Sequence, residues 1–140
     1  MFRVVAILSV FLALAACSGK DAAPADSAPA QIKEAVPVPS FAISKSPADI
    51  AKGQDVFAEK GCTACHKIGG GKLVGPDLKG VTARRDETWI KRMILRPDVM
   101  VKEDDIAKKL LAEHMVPMPN QNVDPTKDLP PLLAYLKSVE

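Results

Sequence analysis

Aromatic side chains are scarce in this 140-residue chain, which has four Phe, one Trp and one Tyr. From Ser46 onward only Phe57, Trp89 and Tyr135 remain. That is a thin supply of apolar bulk for a small domain, and small domains are marginal without an added staple. Disulfides are not that staple: there are three cysteines, and each has another use argued below. No run alternates apolar and polar residues, which excludes a sheet-built fold. Charge of one sign is not in excess. The chain is formally +2, and from Ser46 onward 15 Lys and Arg face 14 Asp and Glu, so no strong nucleic-acid binding is expected. The apolar run Val4 to Leu14 has 11 residues, too few to span a bilayer as a helix. Gly69-Gly70-Gly71-Lys72 is not a phosphate-binding loop, because the glycine spacing is wrong and Leu73 stands where Ser or Thr is required.

What is present is Cys62-Thr63-Ala64-Cys65-His66. C-x-x-C-H is the signature of covalent c-type haem attachment. Two thiols at this spacing each form a thioether to one vinyl group, and the adjoining histidine lies under the iron. Cys62 and Cys65 are therefore the candidate thioether residues and His66 the candidate proximal ligand. A thioredoxin-like dithiol would sit in a βαβ pattern, which is absent. A zinc site would need a further ligand, yet His114 is the only other histidine and there is no second C-x-x-C. A buried porphyrin supplies the missing apolar mass, so the cofactor is expected to be a condition of folding. The haem then carries the electron chemistry and the protein tunes it.

The N-terminus reads as an export signal: Met1-Phe2-Arg3 provides a positive charge, the apolar run follows, and small residues end it. Leu14-Ala15-Ala16-Cys17 resembles the lipobox of bacterial lipoproteins. The resemblance implies cleavage after Ala16 and lipidation of Cys17, and hence an anchor on the periplasmic side of a bacterial membrane. Ordinary cleavage near Ala15 or Ala16, leaving Cys17 a free thiol, is the plainer alternative. Several acyl chains on one residue anchor stably where a single chain does not. Export agrees with c-type haem, which is attached outside the bacterial inner membrane.

Residues 19–45 hold Pro24, Pro29, Pro37, Pro39 and seven alanines without hydrophobic periodicity, a composition that cannot bury enough surface to fold. As a flexible coil they would span about 30 Å. The expected organisation is a signal at 1–16, a lipidated Cys17 with a disordered tether at 17–45, and one domain at 46–140. Within the domain, Ser46-Pro47 opens a helix that stops near Gly61. Asp86 caps a second, with Trp89, Ile90, Met93 and Ile94 on one face, ended by Pro97. A third runs from about Asp104 to Glu113. The last begins near Asp128, with Pro130 and Pro131 in its first turn and Leu129, Leu132, Leu133 and Leu136 at helical spacing. The architecture is expected to be all-α.

Together these segments resemble a class I cytochrome c over Pro47 to Val139, which implies about four helices around one covalently attached haem c. Gly53-Gln54-Asp55-Val56-Phe57 resembles the first-helix run of that family, in which the glycine lets the first and last helices cross closely. Gly75-Pro76-Asp77-Leu78 resembles the segment whose proline carbonyl accepts a hydrogen bond from the proximal histidine, here Pro76 and His66. Trp89 resembles an aromatic that packs near the haem, and Arg84 and Arg85 are candidates to meet its propionates.

Cytochromes of this kind that only transfer electrons hold iron by His and Met. The family's distal methionine often precedes a proline in an irregular loop, and Met118-Pro119-Asn120 fits, so Met118 is the expected sixth ligand. Met115 and His114 remain alternatives; Met93 and Met100 read as core. The run from Gly75 to Tyr135 is also similar to cytochrome c domains associated with nitrous oxide reductase or with copper delivery. The resemblance implies a monomeric, membrane-anchored electron carrier between redox donor and acceptor proteins. Lys60, Lys67, Lys72 and Lys79 flank the haem motif and would suit an acidic docking surface. A haem sensor or peroxidase-like protein with an open sixth site, and a copper-handling assembly factor, are the other classes in play.

Overall fold

The computed structural model describes residues 37–140; the expected signal, Cys17 and most of the expected tether lie outside the described residues. Six α-helices and one 3-10 turn occur among them, with no strand. Helix α1, Pro47–Glu59, starts where Ser46 accepts a hydrogen bond from the Asp49 amide. Proline at its first position loses no bond there, because that N–H would have no helical partner. After α1 the chain turns through Gly61 at φ 74° into the 3-10 turn Cys62–Ala64.

Helix α6, Leu129–Ser138, packs across α1. The contact is set by Gly53, where a Cβ would lie 1.9 Å from the Pro131 carbonyl oxygen. Only glycine allows that approach, as the family resemblance implies. Around the crossing, Val56 and Phe57 of α1 bury against Leu132, Leu133 and Leu136 of α6. The Phe57 and Tyr135 rings meet at 5.5 Å between centroids. Lys60 reaches over to Asp128 at 2.7 Å and to the Asn122 carbonyl at 3.0 Å, closing the far end of the pair.

Between them lie α2 (Val81–Arg84), α3 (Glu87–Leu95), α4 (Pro97–Glu103) and α5 (Asp105–His114). Two of these were not anticipated. Helix α2 is a single turn entered through Gly80 at φ 67°, too short to show a periodic pattern. Helix α4 arises because Pro97 does two things. Arg96 before it leaves the helical region at φ −138°, ψ 59°, which ends α3 as expected, and Pro97 then occupies the first position of a new helix. Met100 in α4 is fully buried.

The folded body also extends upstream of Ser46. Phe41 and Ile43 pack against the core. Lys91, only 4% exposed, donates to the Pro39 carbonyl at 3.0 Å, lies 3.9 Å from the centre of the Phe41 ring and pairs with Glu87. Pro39 and Phe41, counted with the tether from composition, therefore lie against Lys91 of α3, and Ser44 bonds Asp49 of α1.

Candidate haem site

Cys62 and Cys65 sit at the ends of the 3-10 turn, joined by the Cys65 amide to the Cys62 carbonyl. Both are half-buried on the wall of one cavity. Burial pushes the Cys62 thiol up; a hydrogen bond from its own backbone pulls it down, and the neighbouring Cys65 raises it again. His66 follows on the same wall. Its Nδ1 lies 2.8 Å from the Pro76 carbonyl oxygen. A carbonyl only accepts, so Nδ1 carries the proton and Nε2 keeps its lone pair. Gly75 passes so close beneath the ring that a Cβ would lie 2.6 Å from His66 Cε1, and its amide donates to the Cys65 carbonyl at 2.8 Å.

The loop that presents Pro76 is held by a device that sequence reasoning missed. Asp77 accepts hydrogen bonds from the amides of Lys79, Gly69 and Gly71 at 2.8, 2.8 and 2.7 Å, which hold its carboxyl below the usual carboxylate range. Gly69, Gly70 and Gly71 all have positive φ, from 79° to 89°, so the run wraps inward on a carboxylate of its own chain. The concave set of N–H groups that a phosphate loop would need exists in part, but Asp77 fills it. Arg84 donates to the Asp77 carbonyl at 2.9 Å and also to that of Lys79. That guanidinium is engaged with backbone, while Arg85 stacks 5.5 Å over Trp89.

Trp89 is half-buried on the cavity wall and donates its Nε1–H to Asp104 at 3.0 Å. Asp104 was expected only as a helix start. In the structure the same oxygen accepts from the Ala107 amide at 2.8 Å, so one buried carboxylate both caps α5 and ties it to α3. The three methionines in question part company. Met118 lines the cavity, as does the half-buried Met93. Met115 ends α5 at φ 59° and is 83% exposed. His114 lines the cavity too, with Nδ1 3.1 Å from the Val74 carbonyl.

The cavity measures about 230 Å³, and its lining is mostly apolar. Its walls fit a haem: two thiols at the thioether spacing, an imidazole whose Nε2 is left free by the hydrogen bond at Nδ1, and further along a thioether sulfur.

The cytochrome c family model matches residues 50–140. A 32-residue stretch is 53% identical to cytochrome c-551 of Azotobacter vinelandii, covering 23% of this chain and 38% of that relative's length. A solved cytochrome c from Rhodothermus marinus is 27% identical, covers 76% of this chain and 89% of its own, and superimposes with a TM-score of 0.67. An engineered form of that protein bound to a carbene intermediate gives a TM-score of 0.63 at 27% identity, over 76% of this chain and 89% of its own. The chain therefore belongs to the cytochrome c family, whose members carry covalently attached haem c, and its Cys62 and Cys65 fit the attachment motif.

Proposed function

We propose that this protein is a one-electron carrier whose haem iron is held by His66 and Met118, working from a lipid anchor at Cys17 on the periplasmic side of a bacterial membrane. The haem, when bound, supplies the ferric–ferrous couple. The chain's own residues do the rest. Cys62 and Cys65 hold the group covalently. Pro76 fixes the tautomer and direction of His66, and Asp77 and Arg84 hold the Pro76 loop. Trp89 and Asp104 brace the wall beside it. A thioether as second ligand favours the reduced iron and raises the potential. The observation that carries the reading is the His66 Nδ1 to Pro76 bond, which leaves the Nε2 lone pair free to bind iron, in a cavity that Met118 also lines and the exposed Met115 does not.

Charge supports docking to an acidic partner less broadly than the lysine count implies. Lys60 is committed to Asp128, and Lys72 donates to the Glu113 carbonyl at 3.2 Å. Lys67 and Lys79 are exposed and would carry the steering. The similarity of the segment from Gly75 to Tyr135 to cytochrome c domains of nitrous oxide reductase systems points to a denitrification route as the electron's destination. Among the described residues no helix is long and apolar enough to cross a membrane.

The test is the ferric absorption spectrum of the exported protein, with Met118→Ala as control. A far-red sulfur-to-iron band that is lost in the control is the expected result. Its absence from the parent would refute the ligand pair and favour a sensor or peroxidase-like iron with an open site. Radiolabelled fatty acid incorporated by the native chain, and not by Cys17→Ser, tests the anchor.

A further inference from the structure

His114 is used by nothing above, although its side chain is only 5% exposed and lies on the cavity wall. Its partners locate it at a seam. Nδ1 lies 3.1 Å from the Val74 carbonyl, and Nε2 lies 3.7 Å from Glu113 Oε1. Val74 immediately precedes Gly75 and Pro76, the two residues that touch His66. One residue before His114, the Glu113 carbonyl accepts the Lys72 ammonium from the same opposing segment. Two bonds thus join the C-terminal end of α5 to residues 72–74. Beyond the seam the chain turns sharply at Met115 and enters Val116-Pro117-Met118-Pro119. Among the described residues those four make no hydrogen bond; the next anchors are the long Asn120 to Leu95 bond at 3.4 Å and the Asn120 cap on the Asn122 amide. The loop that holds Met118 is therefore tied to the rest of the molecule chiefly at its two ends.

We propose that His114 is a clasp: a positioning residue that fastens the Met118 loop to the His66 loop and so keeps the sixth-ligand side of the cavity shut. Resting on the His66 and Met118 reading, it assigns His114 to a carbonyl of the chain and not to the iron. Removing the clasp leaves α5 capped at its other end by Asp104, so the consequence is local opening of the rim without loss of the fold. One hydrogen bond of this kind changes an opening equilibrium by about fivefold.

The experiment compares holoprotein, His114→Ala, His114→Gln and Met118→Ala. It reads amide hydrogen exchange at Leu73 and Gly75 in one loop and at Met115 and Asn122 at the two ends of the other, all of them hydrogen-bonded amides, together with the ferric sulfur-to-iron band and carbon monoxide uptake by the ferrous form. In His114→Ala both loops should exchange about fivefold faster together and carbon monoxide uptake should rise similarly. Helical circular dichroism should be unchanged, and His114→Gln, which keeps a donor, should restore part of each effect. Unchanged exchange and uptake in His114→Ala would overturn the clasp. So would a low-spin spectrum lost in His114→Ala and kept in Met118→Ala, because His114 would then be the ligand. If the parent shows no sulfur band, the Met118 reading fails by itself, and the coupled exchange of the two loops still decides the clasp.

Discussion

Replacing Gly53 by alanine sets two well-defined effects against each other. Gly53 lies inside α1, and helix propensity alone makes alanine better there by about 1 kcal/mol. The new Cβ, however, would lie 1.9 Å from Pro131 O, 2.6 Å from Pro131 C and 2.8 Å from Tyr135 Cβ. Ordinary contact begins near 3.4 Å, so the helices would have to part by about 1.5 Å, the difference between 3.4 and 1.9. The two Pro131 atoms are backbone and Tyr135 Cβ is fixed directly to the backbone, so no rotamer change relieves them. Overpacking of this kind costs about 3 kcal/mol at the upper end of its usual range. Parting α1 from α6 also loosens Val56, Phe57, Leu132 and Leu133, which share the crossing. The net expectation is a loss of about 2 kcal/mol or more, after the propensity gain is subtracted. For a domain of this size that lowers Tm by about 10 °C. Thermal and urea unfolding of the holoprotein, followed by helical circular dichroism, measure it. A Gly53→Ala variant as stable as the parent, or more stable, would refute the close-crossing argument, because only propensity would then be left.

Further outcomes follow from other contacts. Asp104→Ala should cost about 2 kcal/mol in urea unfolding, since it leaves the Trp89 Nε1–H and the Ala107 amide without their shared acceptor; Trp89 fluorescence should report the change. The Thr126 hydroxyl and the amides of Thr126 and Lys127 hold the Asp124 carboxyl down to about 2, from 3.8. Its folded value is depressed, so its contribution is present above the unfolded value and is lost as pH falls from about 4 towards 2. Asp124→Asn should lower stability at neutral pH and flatten the profile between about pH 4 and 2, so that variant and parent converge at the acid end. Lys91→Met should release the segment around Pro39 and Phe41, seen as faster hydrogen exchange at residues 40–44 while α1 and α6 stay protected. Blocking haem attachment with a Cys62→Ser, Cys65→Ser double variant should remove most helical circular dichroism, because the cavity would then leave apolar walls facing water.

Much of this was legible in the chain because the signals are local. Ser46-Pro47, Asp86 and Asp104 announce helix starts through cap chemistry that involves residues three or four apart, and the structure has helices at each. The thiol spacing and the adjoining histidine announce the cofactor for the same reason: the chemistry is written within five consecutive residues. The close helix crossing and the Pro76 contact came through the family resemblance, in which single residues stand for contacts made far along the chain. Less legible were pieces too short for periodicity. Helix α2 is one turn, and α4 was hidden because a proline stops one helix and starts another with equal ease. Segment 37–45 carries the composition of a tether, yet one buried lysine on α3 draws it in.

The amino-acid sequence by itself determined that this protein is helical and takes a covalent haem, because capping, periodicity and thioether spacing act over a few residues. Tertiary structure alone decided which polar groups meet. That Asp77 fills the glycine loop, that Asp104 serves both Trp89 and α5, and that His114 bonds Val74 forty residues away depends on how the helices pack. The same packing separates Met118, on the cavity wall, from Met115 in solvent. Three residues apart in sequence, they differ because a left-handed turn at the end of α5 sends the two side chains into different surroundings.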